Sequence, residues 1–313
     1  MKISVVMATY NGATYLPEQL DSILNQSYTN LELLVVDDCS KDGTRDVLSR
    51  YAEHDPRITL HFNQQNLGCS RSFEKGCDLS SGTYIALVDQ DDRWLPHKLE
   101  RLIAELREQK LDLIYSDCRH MDASGALLET SHRDRIPING LDSSARNFDV
   151  IASLNSFVLG CSILMTRDFL ERSLPFEHTR FNHDRWLMSN AGAWGKVGFL
   201  DEVLFYYRLH GNQYSMRFKH AAGLKQWFKR DMKPVVPFYS DAGYERILSQ
   251  IPPTDARRAH YERFANAVAK FRKVGLLGRI GLAWHFRHYL YLTQSLRRRF
   301  TNTAKLVLFW PGD

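Results

Sequence analysis

Residues 84–92 read Tyr-Ile-Ala-Leu-Val-Asp-Gln-Asp-Asp, a short apolar strand that runs directly into an acidic cluster. The same order recurs at Ile3–Ala8, which leads into Thr9-Tyr10-Asn11, and at Leu31–Val36, which leads into Asp37-Asp38. Helical periodicity between these strands predicts right-handed crossovers and a mostly parallel sheet in an α/β fold. Because ligands bind beyond the carboxyl ends of parallel strands, three polar clusters in these positions predict one binding site at that edge.

The rest of the chain follows this pattern only in part. Ile58–Phe62 and Leu111–Ser116 are predicted strands, and a helix is predicted to start near Pro96. After residue 117 the alternation breaks, and we expect Val197–Phe199 and Val203–Tyr207 to pair as an edge hairpin. From residue 217 onward the pattern is helical.

The composition is that of an ordinary globular protein and excludes disordered, collagen-like and disulfide-dense classes. The chain has 313 residues, 44% hydrophobic and 25% charged. Its five cysteines form no Cys-x-x-Cys pair and no spacing typical of metal ligands, so we expect free thiols in a reducing compartment. The apolar N-terminal run lacks a cleavage site and predicts a buried strand rather than a signal peptide. No apolar stretch is long enough to predict a membrane-spanning helix.

Charge is distributed unevenly along the chain. Residues 1–216 carry a balance of −8, whereas residues 217–313 carry +13 together with many aromatic side chains. The basic region predicts an anionic partner, such as the headgroups of a membrane surface. Packing on the body of the protein or on a second protomer is the alternative that stays open. Nucleic acid is the least favoured partner, because no recognised binding motif is present.

The acidic cluster at Asp89, Asp91 and Asp92 has two interpretations. Three carboxylates within four residues repel one another, and a hard divalent ion such as Mg²⁺ or Mn²⁺ would relieve that repulsion. The alternative is a solvated acidic turn that stabilises the N-terminus of the helix near Pro96. The residues alone leave both interpretations open.

Five motifs occur in the order of one known family. They are Ser4–Gly12, Ser22–Tyr28, Asp37–Thr44, Asn66–Gly68 and Asp89–Asp92. Together they resemble the family 2 glycosyltransferases of GT-A fold, over about residues 2–212. The segment from His183 to Asn212 looks most like the bacterial rhamnosyltransferase-type members.

The resemblance implies a GT-A (Rossmann-like), mostly parallel sheet flanked by helices. It implies a catalytic domain over residues 1–216, with residues 1–117 as the nucleotide-binding half and residues 118–216 as the acceptor-side half. Residues 217–313 would form a basic, aromatic-rich helical appendage.

The resemblance also implies which residues hold the nucleotide sugar. Thr9, Tyr10 and Asn11 would line the nucleotide pocket. Asp38, or its neighbour Asp37, would accept a hydrogen bond from the base. Two further predicted contacts are Asp91 on the ribose and Arg208 on the phosphate, the latter weighed against a structural role.

Metal and catalytic roles follow from the same comparison of motifs. Asp92 would hold Mg²⁺ or Mn²⁺ on the diphosphate, with Asp89 as a helper and His210 as a further candidate contact to the metal or diphosphate. Asp184 occupies the position of the catalytic carboxylate, although this chain has His183-Asp184 where many members have Glu-Asp. Trp186 and Trp194 are candidates for stacking on an acceptor sugar, with a place in the core as the alternative.

The implied reaction is transfer of a sugar, with inversion, from a nucleoside diphosphate donor to a hydroxyl group. The donor would be a UDP- or dTDP-sugar, with dTDP-rhamnose implied by the narrower resemblance. The acceptor would be a glycan or a lipid-linked intermediate of a cell-surface polysaccharide such as O-antigen. We therefore expect a cytoplasmic enzyme that is peripheral on the inner face of a bacterial membrane.

Two other functions compete with this prediction. A nucleotidyltransferase would use a similar sheet, but the turn after the first strand lacks the glycine-rich basic loop typical of that class. A non-catalytic GT-A binding module would recruit partners through its basic region, but would have no need of the acidic cluster and Asp184.

Overall fold

The computed structural model describes residues 1–132, 158–177, 182–211 and 241–273. The contacts divide the chain into two compact units. Unit 1 contains Met1–Arg135, Val158–Ala191 and Gly195–Arg208, and unit 2 contains Ile136–Phe157, Gly192–Trp194 and Leu209–Asp313. The predicted boundary between residues 216 and 217 lies outside the described residues and stays a prediction.

The centre of unit 1 is a nine-stranded mixed sheet, counted over the described residues. Its strands are β1 (Ile3–Thr9), β2 (Leu31–Asp37), β3 (Ile58–Phe62), β4 (Tyr84–Val88), β5 (Arg93–Trp94), β6 (Leu113–Met121), β7 (Leu127–Ser131), β8 (Ile163–Thr166) and β9 (Val197–Arg208). The order across the sheet is β3-β2-β1-β4-β8-β6-β9-β5, with β7 paired to β6. Strands β1 to β4 are parallel, whereas β8 runs antiparallel to both β4 and β6.

Helices follow the strands as the sequence predicts. The helices of unit 1 are α1 (Leu16–Leu24), α2 (Thr44–His54), α3 (Cys69–Leu79), α4 (Lys98–Glu108), α5 (Arg167–Ser173) and α6 (His183–Ala193), the last of which runs into unit 2. Gly76 lets α3 approach the sheet closely, because a β-carbon there would lie 2.4 Å from Val6 Cγ1. The observed architecture confirms the predicted α/β fold with a helix-flanked sheet.

The ends of the first strands bring the predicted polar clusters together. Thr9 pairs with Asp37 in the β1–β2 register, and Met7 pairs with Val88 in the β1–β4 register. The residues after β1, β2 and β4 therefore leave the sheet at the same edge, which confirms the expectation from the sequence.

The predicted hairpin between residues 197 and 207 is wrong. The segment forms the single strand β9, which pairs in parallel with β6 along its length. Leu200 pairs with Ser116 and Val203 with Asp117, so the polar residues at 201 and 202 form an irregularity within the strand instead of a turn.

Unit 2 is described through two helices, α7 (Asp241–Gln250) and α8 (Ala256–Lys273). Tyr244 and Tyr261 are buried with their ring centroids 6.2 Å apart, and Arg258 Nη1 donates to the carbonyl oxygen of Ile251 over 2.8 Å. Among the described residues, no helix has both the length and the apolar character that crossing a membrane requires.

Candidate active site

The loops after β1 and β4 are joined by a two-point hydrogen bond. Gln90 Oε1 accepts from the backbone N–H of Tyr10 over 2.9 Å, and Gln90 Nε2 donates to the Tyr10 carbonyl over 3.1 Å. Gly12 is required beside this pair, because a β-carbon at that position would lie 2.2 Å from Gln90 Oε1. The side chain of Gln90 therefore fixes the backbone of the predicted nucleotide pocket.

The loop after β2 is fastened to the same backbone. Asn11 donates its N–H to Ser40 Oγ over 2.9 Å, and its side-chain oxygen accepts from the N–H of Lys41 over 2.8 Å. The N–H of Gly12 donates to Thr44 Oγ1 over 2.8 Å. Asn11 thus contributes to the shape of the pocket by joining two loops, while its predicted contact with a nucleotide stays a prediction.

The carboxylate of Asp37 is buried and accepts four hydrogen bonds from the protein. Its donors are Thr9 Oγ1, Arg45 Nε, and both the N–H and the hydroxyl of Ser40. A carboxylate has about four acceptor positions. The described residues therefore use the full capacity of Asp37, and Thr9 acts here as a donor to it.

The carboxylate of Asp38 is buried as well, but it accepts three hydrogen bonds. Oδ1 accepts from Asn63 Nδ2 and from the N–H of Leu67, and Oδ2 accepts from the N–H of Gly68 over 2.8 Å. Among the described residues, this leaves one acceptor position of about four on Oδ2. The number of occupied acceptor positions therefore distinguishes Asp38 from Asp37, two residues that the sequence left as alternatives.

The acidic cluster converges beside Cys161. The ligand atoms of Asp89, Asp92 and Cys161 all lie within 4.8 Å of one another. Asp92 is fully buried, and its Oδ2 has no hydrogen-bond partner among the described residues. Burial, followed by repulsion from Asp91 and Asp89, raises the pKa of Asp92 well above its ordinary value. An orphaned buried carboxylate oxygen next to a second carboxylate is the environment that a divalent cation fits.

Asp89 responds to the same repulsion. Burial, followed by the charge of Asp91, raises the pKa of Asp89 to about 7, and a hydrogen bond from Cys161 offsets this only in part. The charge of Asp184 raises that pKa further. Bound Mg²⁺ or Mn²⁺ would favour the ionised carboxylates.

Lys98 is a buried cation that contacts the segment carrying Cys161. Its Nζ donates to the carbonyl oxygen of Cys161 over 2.5 Å and lies 3.9 Å and 4.2 Å from the ring centroids of Trp94 and Phe205. Burial lowers the pKa of Lys98 to about 8, although the charge of Asp92 favours its protonated form. The aromatic rings thus hold a positive charge beside acidic residues that repel one another.

Arg208, the last residue of β9, also contacts the cluster and is fully buried. Its N–H donates to Asp92 Oδ1 over 3.1 Å, and its Nε donates to the carbonyl oxygen of Asp91 over 2.8 Å. Its guanidinium forms an ion pair with Glu18 and lies 4.7 Å from the ring centroid of Tyr15. These contacts match the structural alternative weighed for Arg208, and the predicted phosphate contact stays a prediction.

Asp184 lies in the first turn of α6, next to the segment that carries Cys161. A β-carbon on Gly160 would lie 3.5 Å from Asp184 Cβ and 3.0 Å from His183 Nε2. His183 is buried with its ring centroid 4.1 Å from that of Phe73, and burial lowers its pKa to about 4. The residue that replaces the Glu of many family members is therefore a neutral, packed imidazole at neutral pH.

The three remaining candidates, Trp186, Trp194 and His210, lie outside the group of contacts described above. Trp186 is fully buried and donates its indole N–H to the Ser173 carbonyl over 2.7 Å, so it belongs to the core as the alternative held. Trp194 and His210 belong to unit 2, and their predicted roles stay predictions.

The sequence missed Glu18, Gln90, Lys98, Gly160 and Cys161. Glu18 and Lys98 lie in helices where charged residues normally face solvent, so nothing in the pattern singled them out. Gly160 and Cys161 interrupt an apolar run, which is the one signal that marked their segment as unusual.

Comparison with known proteins decides the family. The model of the glycosyl transferase family 2 domain matches residues 4–174, which is more than half of the chain. The chain belongs to glycosyl transferase family 2. It is 28% identical over 228 residues to TuaG of Bacillus subtilis (strain 168), which is named as a teichuronic acid biosynthesis glycosyltransferase. That match covers 72% of this chain and 86% of TuaG.

In two further relatives the match covers a smaller share of the relative's length than it does in TuaG. An uncharacterized glycosyltransferase of Nostoc sp. is 31% identical, over 67% of this chain and 66% of the relative. GlyA of Streptococcus pneumoniae serotype 4 is 29% identical, over 79% of this chain and 34% of GlyA. The chain thus spans less than two thirds of both of these relatives.

Solved structures agree on the fold. Staphylococcus aureus TarS 1–349 in complex with UDP-GlcNAc aligns with a TM-score of 0.60 at 18% identity, over 98% of this chain and 88% of that one. The mannosyltransferase PcManGT of Pyrobaculum calidifontis, in complex with GDP-Man and Mn²⁺, aligns with a TM-score of 0.56 at 19% identity, over 97% of this chain and 84% of that one. At these identities the similarity shows the GT-A fold.

Proposed function

We propose that this glycosyltransferase moves a sugar, with inversion, from a uridine or thymidine diphosphate donor to a hydroxyl of a glycan or lipid-linked acceptor. The observation that carries the proposal is the convergence of Asp89 and Asp92 at the end of β4, with Asp184 next to Gly160, the residue before Cys161 of the same cluster. The complexes of TarS with UDP-GlcNAc and of PcManGT with GDP-Man and Mn²⁺ support a nucleoside diphosphate sugar as donor and a divalent ion.

Asp38 is the residue that we propose for base recognition. Its Oδ2 keeps an acceptor position that the described residues do not use, whereas Asp37 has none left. Uracil and thymine each present one ring N–H donor, which matches a single carboxylate acceptor. Thr9, Tyr10 and Asn11 shape the walls of the same pocket, and Asp91 is proposed to contact the ribose.

Asp92 and Asp89 are the proposed metal ligands, because their oxygens suit a hard cation such as Mg²⁺ or Mn²⁺. When bound, this ion stabilises negative charge on the departing diphosphate. Lys98 and Arg208 are proposed to position the acidic residues, Lys98 through its buried charge and Arg208 through bonds to Asp91 and Asp92.

Asp184 is the proposed general base. It would take the proton of the acceptor hydroxyl while that oxygen forms a bond to the anomeric carbon. The bond from the anomeric carbon to the diphosphate breaks at the same time, and its electron pair leaves with the diphosphate. Attack from the opposite face inverts the anomeric configuration.

Calorimetric titration of the full chain with UDP-, dTDP- and GDP-sugars, with Mn²⁺ and with a chelator, tests the proposal. We expect Mn²⁺-dependent binding of a uridine or thymidine diphosphate sugar, lost in Asp92→Asn. Asp168→Asn is the matched control, because Asp168 lies on α5 with a 77% exposed side chain. Release of inorganic pyrophosphate from a nucleoside triphosphate would instead identify a nucleotidyltransferase. Binding with neither donor hydrolysis nor transfer would identify a binding module.

The acceptor is proposed to be part of a cell-surface polysaccharide, with O-antigen and dTDP-rhamnose as the narrower forms. The name of TuaG supports a surface polymer. Contact of residues 217–313 with the anionic inner membrane surface rests on their charge of +13. Co-sedimentation with anionic vesicles, but not with neutral ones, is the expected result. Equal sedimentation with both would remove the electrostatic argument.

A further inference from the structure

A second group of metal-type ligands lies on the β6–β7 hairpin. Cys118 and His120 are two residues apart on β6, so their side chains leave the same face of the strand. His132 follows β7 directly, and its N–H donates to the Cys118 carbonyl over 2.7 Å. One ligand atom from each of the three side chains lies within 4.8 Å of the other two.

The ring geometry is close to that of a coordinated pair of histidines. The centroids of His120 and His132 are 5.6 Å apart, with an interplanar angle of 78°. Two imidazoles bound to one tetrahedral ion at Zn–N distances of about 2 Å have centroids roughly 5 Å apart. Tyr207 packs edge-on against His120 at 6.0 Å, which restricts the imidazole from the β9 side. The spacing of the two rings is therefore compatible with coordination of one ion.

The chemistry of this ligand set differs from that of the acidic cluster. A thiolate and two imidazoles favour a borderline ion of the Zn²⁺ class, whereas Asp89 and Asp92 favour hard ions. Cys118 and His120 are 1% and 3% exposed, so an ion bound there would be shielded from water on the strand side. Burial also makes a thiolate costly unless a cation compensates it.

We propose that Cys118, His120 and His132 bind one Zn²⁺-class ion, with water in the fourth position, and so fasten the end of β7 to β6. Two ligands lie on β6 and the third directly follows the antiparallel strand β7, and the register of the two strands pairs Arg119 with Ser131. The proposal is independent of the donor and acceptor of the transfer reaction.

Titration of the chelator-treated, fully reduced chain with Co²⁺ alone tests the site. Co²⁺ bound to a thiolate absorbs in the near ultraviolet, and a tetrahedral site adds bands in the visible region. We expect the first equivalent of Co²⁺ to produce both signals, and Zn²⁺ to displace it and raise the Tm. Cys118→Ser and His132→Gln should each weaken Co²⁺ binding by roughly a hundredfold.

Two control variants separate this site from other cysteines. Cys161→Ser and Cys77→Ala should keep the Co²⁺ signals, because Cys161 lies in the acidic cluster and Cys77 is buried in α3. His132 is only half-buried, so its Gln variant is expected to fold even if Cys118→Ser does not. Absence of a thiolate–Co²⁺ signal in the folded wild type, or its loss in Cys161→Ser alone, would overturn the proposal.

Discussion

The backbone N–H of Arg208 donates to Asp92 Oδ1 over 3.1 Å and leaves Oδ2 as the buried oxygen without a hydrogen-bond partner among the described residues. The last residue of β9 thus occupies one carboxylate oxygen of Asp92, and a carboxylate oxygen of Asp92 lies within 4.8 Å of the ligand atoms of Asp89 and Cys161. This division of the two oxygens explains why Asp92, among the acidic residues after β4, is the proposed principal metal ligand.

Asp92→Asn is expected to lower kcat by at least about a hundredfold, because charge on the departing diphosphate would no longer be stabilised. The metal-free variant should be at least as heat-stable as the metal-free wild type, since Asn removes a buried charge that burial disfavours. Steady-state kinetics with Mn²⁺ check the fall in kcat, and thermal unfolding with and without Mn²⁺ checks the stability. A Tm increase on adding Mn²⁺ that is the same in the variant and the wild type would contradict the assignment.

Asp184→Asn should reduce transfer by about a thousandfold while donor affinity stays within a factor of about two, because a general base acts in the chemical step. Steady-state kinetics and donor calorimetry measure the two quantities. Gly160→Ala tests the position of Asp184 without removing the carboxylate. Its β-carbon would press on His183 Nε2 at 3.0 Å, so kcat should fall and the donor Kd should change little. An unchanged kcat in Asp184→Asn would exclude the base role.

Gly12→Ala should weaken kcat/KM by roughly a hundredfold, because its β-carbon would displace the Gln90 side chain that holds Tyr10. Gly43→Ala is the matched control, since among the described residues a β-carbon there meets only Ala13 Cβ, at 3.8 Å. Both variants should fold, as judged by circular dichroism. Equal activity of the two variants would show that the Gln90–Tyr10 connection does not shape the pocket.

Glu32, on β2, bonds to the strand and the turn beside it. We expect the stability that these contacts contribute to be lost in acid. Burial opposes its ionisation, but hydrogen bonds from Lys2, Ser4 and Ser81 outweigh burial and lower the pKa of Glu32 from 4.5 to about 2. Because the folded pKa lies below the unfolded one, the stabilisation is complete above about pH 5 and is lost as the pH falls toward 2.

Because solvent screens this half-buried carboxylate, Glu32→Gln should lower the free energy of unfolding by only about 1 kcal/mol at pH 7, with a smaller difference near pH 3. Urea denaturation of both proteins at about five pH values between pH 2.5 and 7 measures how the difference in the free energy of unfolding changes with pH. A difference that stays constant over this range would mean that the carboxylate charge does not contribute.

Local pattern was sufficient for the strands and for the edge at which the site forms. Apolar runs of strand length, each followed by polar residues, predict β1, β2 and β4, and parallel pairing then requires that their ends meet. At residues 197–207, by contrast, the local pattern gave the wrong prediction. Asp201 and Glu202 look like a turn locally, but pairing with β6 extends the strand through them, because tertiary hydrogen bonds outweigh local preference.

The sequence by itself determined the α/β fold, the family motifs and the identity of the acidic residues, because these depend on periodicity and on short contiguous spacing. Tertiary structure alone decided which acceptor oxygens remain available. Asp37 and Asp38 are adjacent in sequence, yet Arg45 and Ser40 saturate one while Asn63, Leu67 and Gly68 leave a position on the other. The partners of Asp92, the position of Lys98 and the meeting of Cys118 with His132 likewise depend on long-range contacts. No local spacing encodes such contacts, because distant segments are brought together only when the sheet forms.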